Sequence, residues 1–169
     1  MLVDLLFTCF AVFSVLGALG LIIFRHPMNG AMSFLVTLVS LAGLYALLSA
    51  KLLFALQLIV YAGAIMSLVV FVIMFLNIQP DQLPAEKTKV TYLVAGGVAV
   101  TPVAFFLLKV VNRLPNMPVS FADEGFGGVK EVGLIFFREW LVPFEIVSIL
   151  LLTALVGAVV LAGKREKNK

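Results

Sequence analysis

The sequence predicts an all-α protein that crosses a membrane five times. Three observations point that way. Of 169 residues, 63% are hydrophobic and 12% charged, with a mean hydropathy of +1.18. An ordinary globular domain carries about a quarter charged residues, and a soluble chain this small could not hide so much apolar surface. Apolar runs long enough for a bilayer-crossing helix of about 20 residues fall at 5–24, 29–50, 52–78, 90–111 and 141–163. Turn formers and charges gather between those runs rather than inside them, as the breaks between helices require. The whole chain, 1–169, reads as a single membrane domain with a basic tail over 164–169.

Span one follows Asp4 with no basic residue before it, which argues against a cleavable signal. "RHPMNG" supplies the proline and glycine of a tight turn. Between spans two and three stands little more than Lys51, so those helices should form a close antiparallel hairpin. Span three carries no formal charge. Straight, it would be about 40 Å long against a hydrocarbon core of about 30 Å. Tilt absorbs such an excess. So does a local widening into a π-bulge, which Gly63 permits, and sequence leaves both open. A polar loop, "QPDQLPAEKTK", leads to span four, where Pro102 should kink the helix.

A longer loop, "NRLPNMPVSFADEGFGG", precedes "VKEVGLIFFREWLV". On a helix, Lys130, Glu131, Arg138 and Glu139 share one face, while Phe136, Phe137 and Trp140 cover the rest. That pattern fits a short helix lying in the interface, with Trp140 at headgroup depth. Pro143 suits the first turn of span five.

Five spans put the termini on opposite sides. Arg25, Lys87, Lys89, Lys164, Arg165, Lys167 and Lys169 share one side; Lys51, Lys109, Arg113, Lys130 and Arg138 share the other. The positive-inside rule sets the N-terminus outside and the C-terminal tail in the cytoplasm. A multi-pass protein of the cell's inner (plasma) membrane is expected.

Little enzymatic chemistry fits this inventory. Cys9 and His26 are the lone cysteine and histidine, and disulfides, zinc sites and cysteine-ligated clusters need more ligands. Cys9 reads as a lipid- or helix-facing apolar residue and His26 as an interfacial one. No nucleotide-binding glycine motif or catalytic triad can be assembled. No residue is assigned a catalytic, cofactor-binding or metal-binding role. The net charge of +3 comes from residues flanking spans and from the tail, so nucleic acid is not an expected partner.

Glu145 is the one ionisable group inside a span, about one turn into span five. It suits a helix N-terminus, where the dipole favours a carboxylate; alternatively it belongs to a polar chain shared with a neighbouring subunit. Rows of small residues (Ala154, Ala158 and Ala162; Ala95 and Ala99; Gly63 and Ser67) suit close helix contacts in lipid.

"LQLIVYAGAIMSLVVFVIMFLN" in span three and "LVPFEIVSILLLTALVGAVVLA" in span five resemble the chain J family of proton-pumping NADH:quinone oxidoreductase, respiratory complex I. The five-span order and "HPMNGAMSFL" agree, and the similarity covers nearly the whole chain, with "IVYAGAIM" its most specific part. Ser67 stands where many relatives carry an apolar residue. The resemblance implies a membrane-arm subunit without its own chemistry, helping couple quinone reduction to proton translocation through conformational change of span three. It implies a π-bulge close to Tyr61 and Gly63. Tyr61, Gly63, Met66, Ser67 and Phe71 become coupling or gating candidates, although Tyr61 alone also reads as an aromatic packed on a neighbouring helix. Chains K, H and A would be neighbours, with flavin, iron–sulfur clusters and quinone held by partner subunits. Two alternatives stand beside this: the equivalent subunit of a relative using ferredoxin or another donor, and a small independent transporter. The transporter would show internal repeats and midplane charges, and neither is evident.

Overall fold

A computed structural model describes residues 1–76, 89–111, 113 and 127–163. All regular structure among them is helical, and five helices are long and apolar enough to cross a membrane. Span one is Leu2–Ile23, span two Pro27–Leu47, span three Lys51–Leu76, span four Lys89–Val111 and span five Leu141–Gly163; the short helix Val129–Arg138 precedes span five. The expected end of span three at Ile78, the polar loop after it, most of the longer loop and the basic tail 164–169 lie outside the described residues.

Span one starts three positions before the expected residue 5 and takes Asp4 into its first turn. There the carboxylate meets the terminal ammonium of Met1 at 2.7 Å, and the amino end of the helix favours a negative charge. Span two starts at Pro27 rather than 29. A proline is pre-organised for the first helical position, where its missing N–H costs nothing, so "RHPMNG" is half turn and half helix. Span two ends at Leu47 rather than 50. The amide of Ser49 donates to Ala46 O and that of Ala50 to Tyr45 O, at 3.1 and 3.0 Å, the paired bonds of a Schellman stop. Ser49 adopts the left-handed backbone, φ 58, where glycine is usual. Span three resumes at Lys51, giving the close hairpin. Span four continues as helix through Pro102.

Small residues hold spans one and two together. A Cβ added at Gly17 would stand 2.5 Å from Thr37 Oγ1 and 2.7 Å from the Ser33 carbonyl. One at Gly43 would meet the Phe10 ring at 2.7 Å. Across this contact the Thr37 hydroxyl donates to the carbonyls of Ser33 and Ser14, each at 3.3 Å. Span two buries its other face on span three, through Ala31, Leu38 and Met66 with Phe34, Leu35, Val70 and Ile73 around them. Among the described residues, Val94–Val111 of span four and Leu141–Gly163 of span five bury none of their apolar stretches. In water that would be ruinous. In lipid it leaves two helices free to pack on other chains.

Candidate functional site: the irregular third span

Span three changes its hydrogen-bond register near its middle. The Gln57 amide still donates four residues back, to Leu53 O. The Met66 amide reaches five back, to Tyr61 O, and also meets Gly63 O. Between them, Gln57–Ile65 forms nine residues of π-helix. Widening, one of the two ways the sequence leaves open for a span of this length, is present in span three. Gly63 suits the wider turn: a Cβ there would press on the Leu58 carbonyl at 3.2 Å. A side chain there would need that carbonyl to give by a few tenths of an ångström.

The widening decides which residues face inward. In an α-helix nine residues make about two and a half turns, leaving Gln57 and Met66 on opposite sides. A π turn closes on i→i+5 bonds and holds nearly one residue more, so the same stretch makes about two turns. Gln57 and Met66 accordingly are both buried, at 8% and 2% exposure. Met66 fits among Ala31 and Leu38, where a flexible thioether fills an irregular gap well. The π geometry is what lets both halves of span three pack on span two.

The other candidates are not gathered into one cluster. Tyr61 is 50% and Phe71 57% exposed, and Gly63 and Ser67 are exposed as well. Phe71 stacks on Phe75 at 6.2 Å between ring centres. Met66 therefore faces this chain's own core, while the other four lie on surface open to lipid or to another chain. Glu145 is exposed on span five, and among the described residues no three His, Cys, Asp or Glu side chains come together.

Two features escaped the reading of residues. Gln57 is buried together with Thr37 and Ser40. A search for ionisable groups passes over an uncharged amide, although a glutamine inside "LLFALQLIV" was itself a signal. The close approach at Gly17 was also missed, because its partner Thr37 lies on a different helix.

The family model for NADH-ubiquinone/plastoquinone oxidoreductase chain 6 matches residues 17–161. The chain is 34% identical over 160 residues to the chloroplast NAD(P)H-quinone oxidoreductase subunit 6 of Staurastrum punctulatum, covering 92% of this chain and 87% of that one. It is 33% identical to NADH-quinone oxidoreductase subunit J of Pseudomonas aeruginosa, covering 92% and 93%. It is also 29% identical to F(420)H(2) dehydrogenase subunit J of Methanosarcina mazei, covering 96% and 92%.

Proposed function

This chain belongs to the NADH-ubiquinone/plastoquinone oxidoreductase chain 6 family, and from that premise we propose that span three is its working part. The chain is a multi-pass membrane subunit of an NADH:quinone oxidoreductase complex. It contributes no catalytic group of its own. Flavin, iron–sulfur clusters and quinone reside in partner subunits, and the neighbours on its exposed spans are the chains called K, H and A. Its N-terminus lies outside and its C-terminus in the cytoplasm.

One observation carries the reading: the π segment Gln57–Ile65 surrounds Tyr61 and Gly63 and sets the register of both flanking halves. Such a segment is a bistable element. Reverting to α would turn one half against the other by close to half a turn, driving Met66 or Gln57 out of the core. Tyr61, on the same segment, would swing across the surface that partner chains cover. Redox events at a quinone site could bias that equilibrium, and the swing would open or close a hydrated path. Coupling of this kind needs two arrangements of one element rather than a reacting side chain. Glu145 is then a member of the polar chain completed by a neighbour. Similarity to an F(420)H(2) dehydrogenase subunit fits a part that never touches the electron donor.

Gly63→Val tests this. The branched side chain crowds the Leu58 carbonyl in the π form and restricts the backbone. The complex should assemble, and NADH oxidation by a hydrophilic acceptor should continue. Quinone reduction with its proton gradient should fall at least severalfold. Tyr61→Phe should give a milder loss of the same kind. Normal pumping in an assembled Gly63→Val complex would reduce span three to a scaffold.

A further inference from the structure

We propose that the segment entering the interfacial helix clamps the N-terminal end of span three, with Gly127 as the positioning residue. A rearrangement of the π segment then turns the Met66–Leu76 half and leaves Lys51–Leu56 in place.

The first amides of a helix have no partner within it. In span three the Leu52 amide donates to the Gly127 carbonyl at 2.9 Å, a bond that joins residues 75 positions apart in the chain. The approach demands glycine twice over. Gly127 has φ +68, in the left-handed region, and a Cβ there would meet Ser49 O at 2.8 Å and the Ala50 Cα at 3.0 Å. The receiving turn is itself held in an uncommon shape by left-handed Ser49 and the two Schellman bonds. From Gly127 the chain runs directly into Val129–Arg138, whose Phe136 and Phe137 rings lie 6.5 and 5.0 Å from that of Phe144 in span five. The interfacial helix is therefore a strap from the start of span five to the start of span three.

The two halves of span three are held by different means. Lys51–Leu56 is tied covalently to span two by a three-residue turn, 48–50, and by the directional bond to Gly127. Met66–Leu76 is held in the core by Met66, Val70 and Ile73, whose apolar contacts re-pack at modest cost. When the register changes, the apolar half turns. Among the described residues span five is joined to the rest of the chain through these ring contacts with the interfacial helix, so a force on it from a partner reaches span three through the strap.

The clamp is tested in the resting, intact complex in mild detergent, by hydrogen–deuterium exchange over 51–56. The wild-type Leu52 amide should exchange as slowly as amides in the middle of span two. In Gly127→Ala and Gly127→Val that peptide should exchange at least tenfold faster, with 29–47 unchanged. Gly133→Ala is the control, since an added Cβ at Gly133, on the interfacial helix, meets nothing within 4 Å, and should behave as wild type. Fast exchange of Leu52 in the wild type, or equal acceleration by Gly133→Ala, would overturn the clamp. Its meaning for coupling rests on the reading of span three given above. That part is read separately: protons moved per electron should drop in Gly127→Ala while electron transfer to a hydrophilic acceptor is kept. Accelerated exchange with normal pumping would leave the clamp standing and count against the coupling role.

Discussion

At Gly17 a missing side chain matters more than any present one nearby. No turn and no left-handed backbone requires glycine there; the requirement comes from Thr37 and Ser33 across the contact. Gly17→Val should cost about 1–3 kcal/mol by overpacking. The expected result is less assembled complex after mild heating, with turnover per surviving complex unchanged, measured on native gels with in-gel activity. An equal loss of turnover and assembly would mean that the span one–span two contact also takes part in coupling. Such partner-defined requirements are what sequence conceals. "VYAGA" announced Gly63 because its use is local, whereas Gly17 looks like any small residue until Thr37 is set against it. Gln57 shows the same limit: its amide is legible, but its burial on the same side as Met66 depends on a register that only the folded helix reveals.

At the level of elements, hydropathy and length located the five spans, because the bilayer imposes one length and one polarity on each. Boundaries drifted where local chemistry competes. Asp4 and Pro27 were assigned to the flanks, yet both are favoured in first turns. The π segment was open to either tilt or bulge because both relieve the same excess length. The geometry implies a graded response at residue 63. Gly63→Ala adds one methyl against Leu58 O and should reduce the proton gradient per electron less than Gly63→Val does, both measured in inverted vesicles. A larger defect for alanine than for valine would contradict crowding of the π turn as the cause.

For the whole molecule, spans one to three form a packed unit, while spans four and five present bare apolar surface. Size and composition made a membrane protein legible, and its place as a subunit came from the resemblance in spans three and five. Which chains cover those surfaces was not, since contacts between helices in lipid leave only generic small-residue rows. Orientation can be checked on described positions in a Cys9→Ser background. Lys130→Cys should react with an impermeant thiol reagent in intact cells, and Arg25→Cys only after permeabilisation; the reverse pattern would invert the topology. The central claim is that Gln57–Ile65 changes register during turnover. It is tested most directly by determining structures of the intact complex at rest and with the quinone site turning over, and reading the backbone hydrogen bonds of that segment. The segment should show i→i+5 bonds in one state and i→i+4 bonds in the other, with Met66 leaving Ala31 and Leu38 as the apolar half turns. Nine residues of unchanged π-helix in both states, with Met66 still buried, would contradict it.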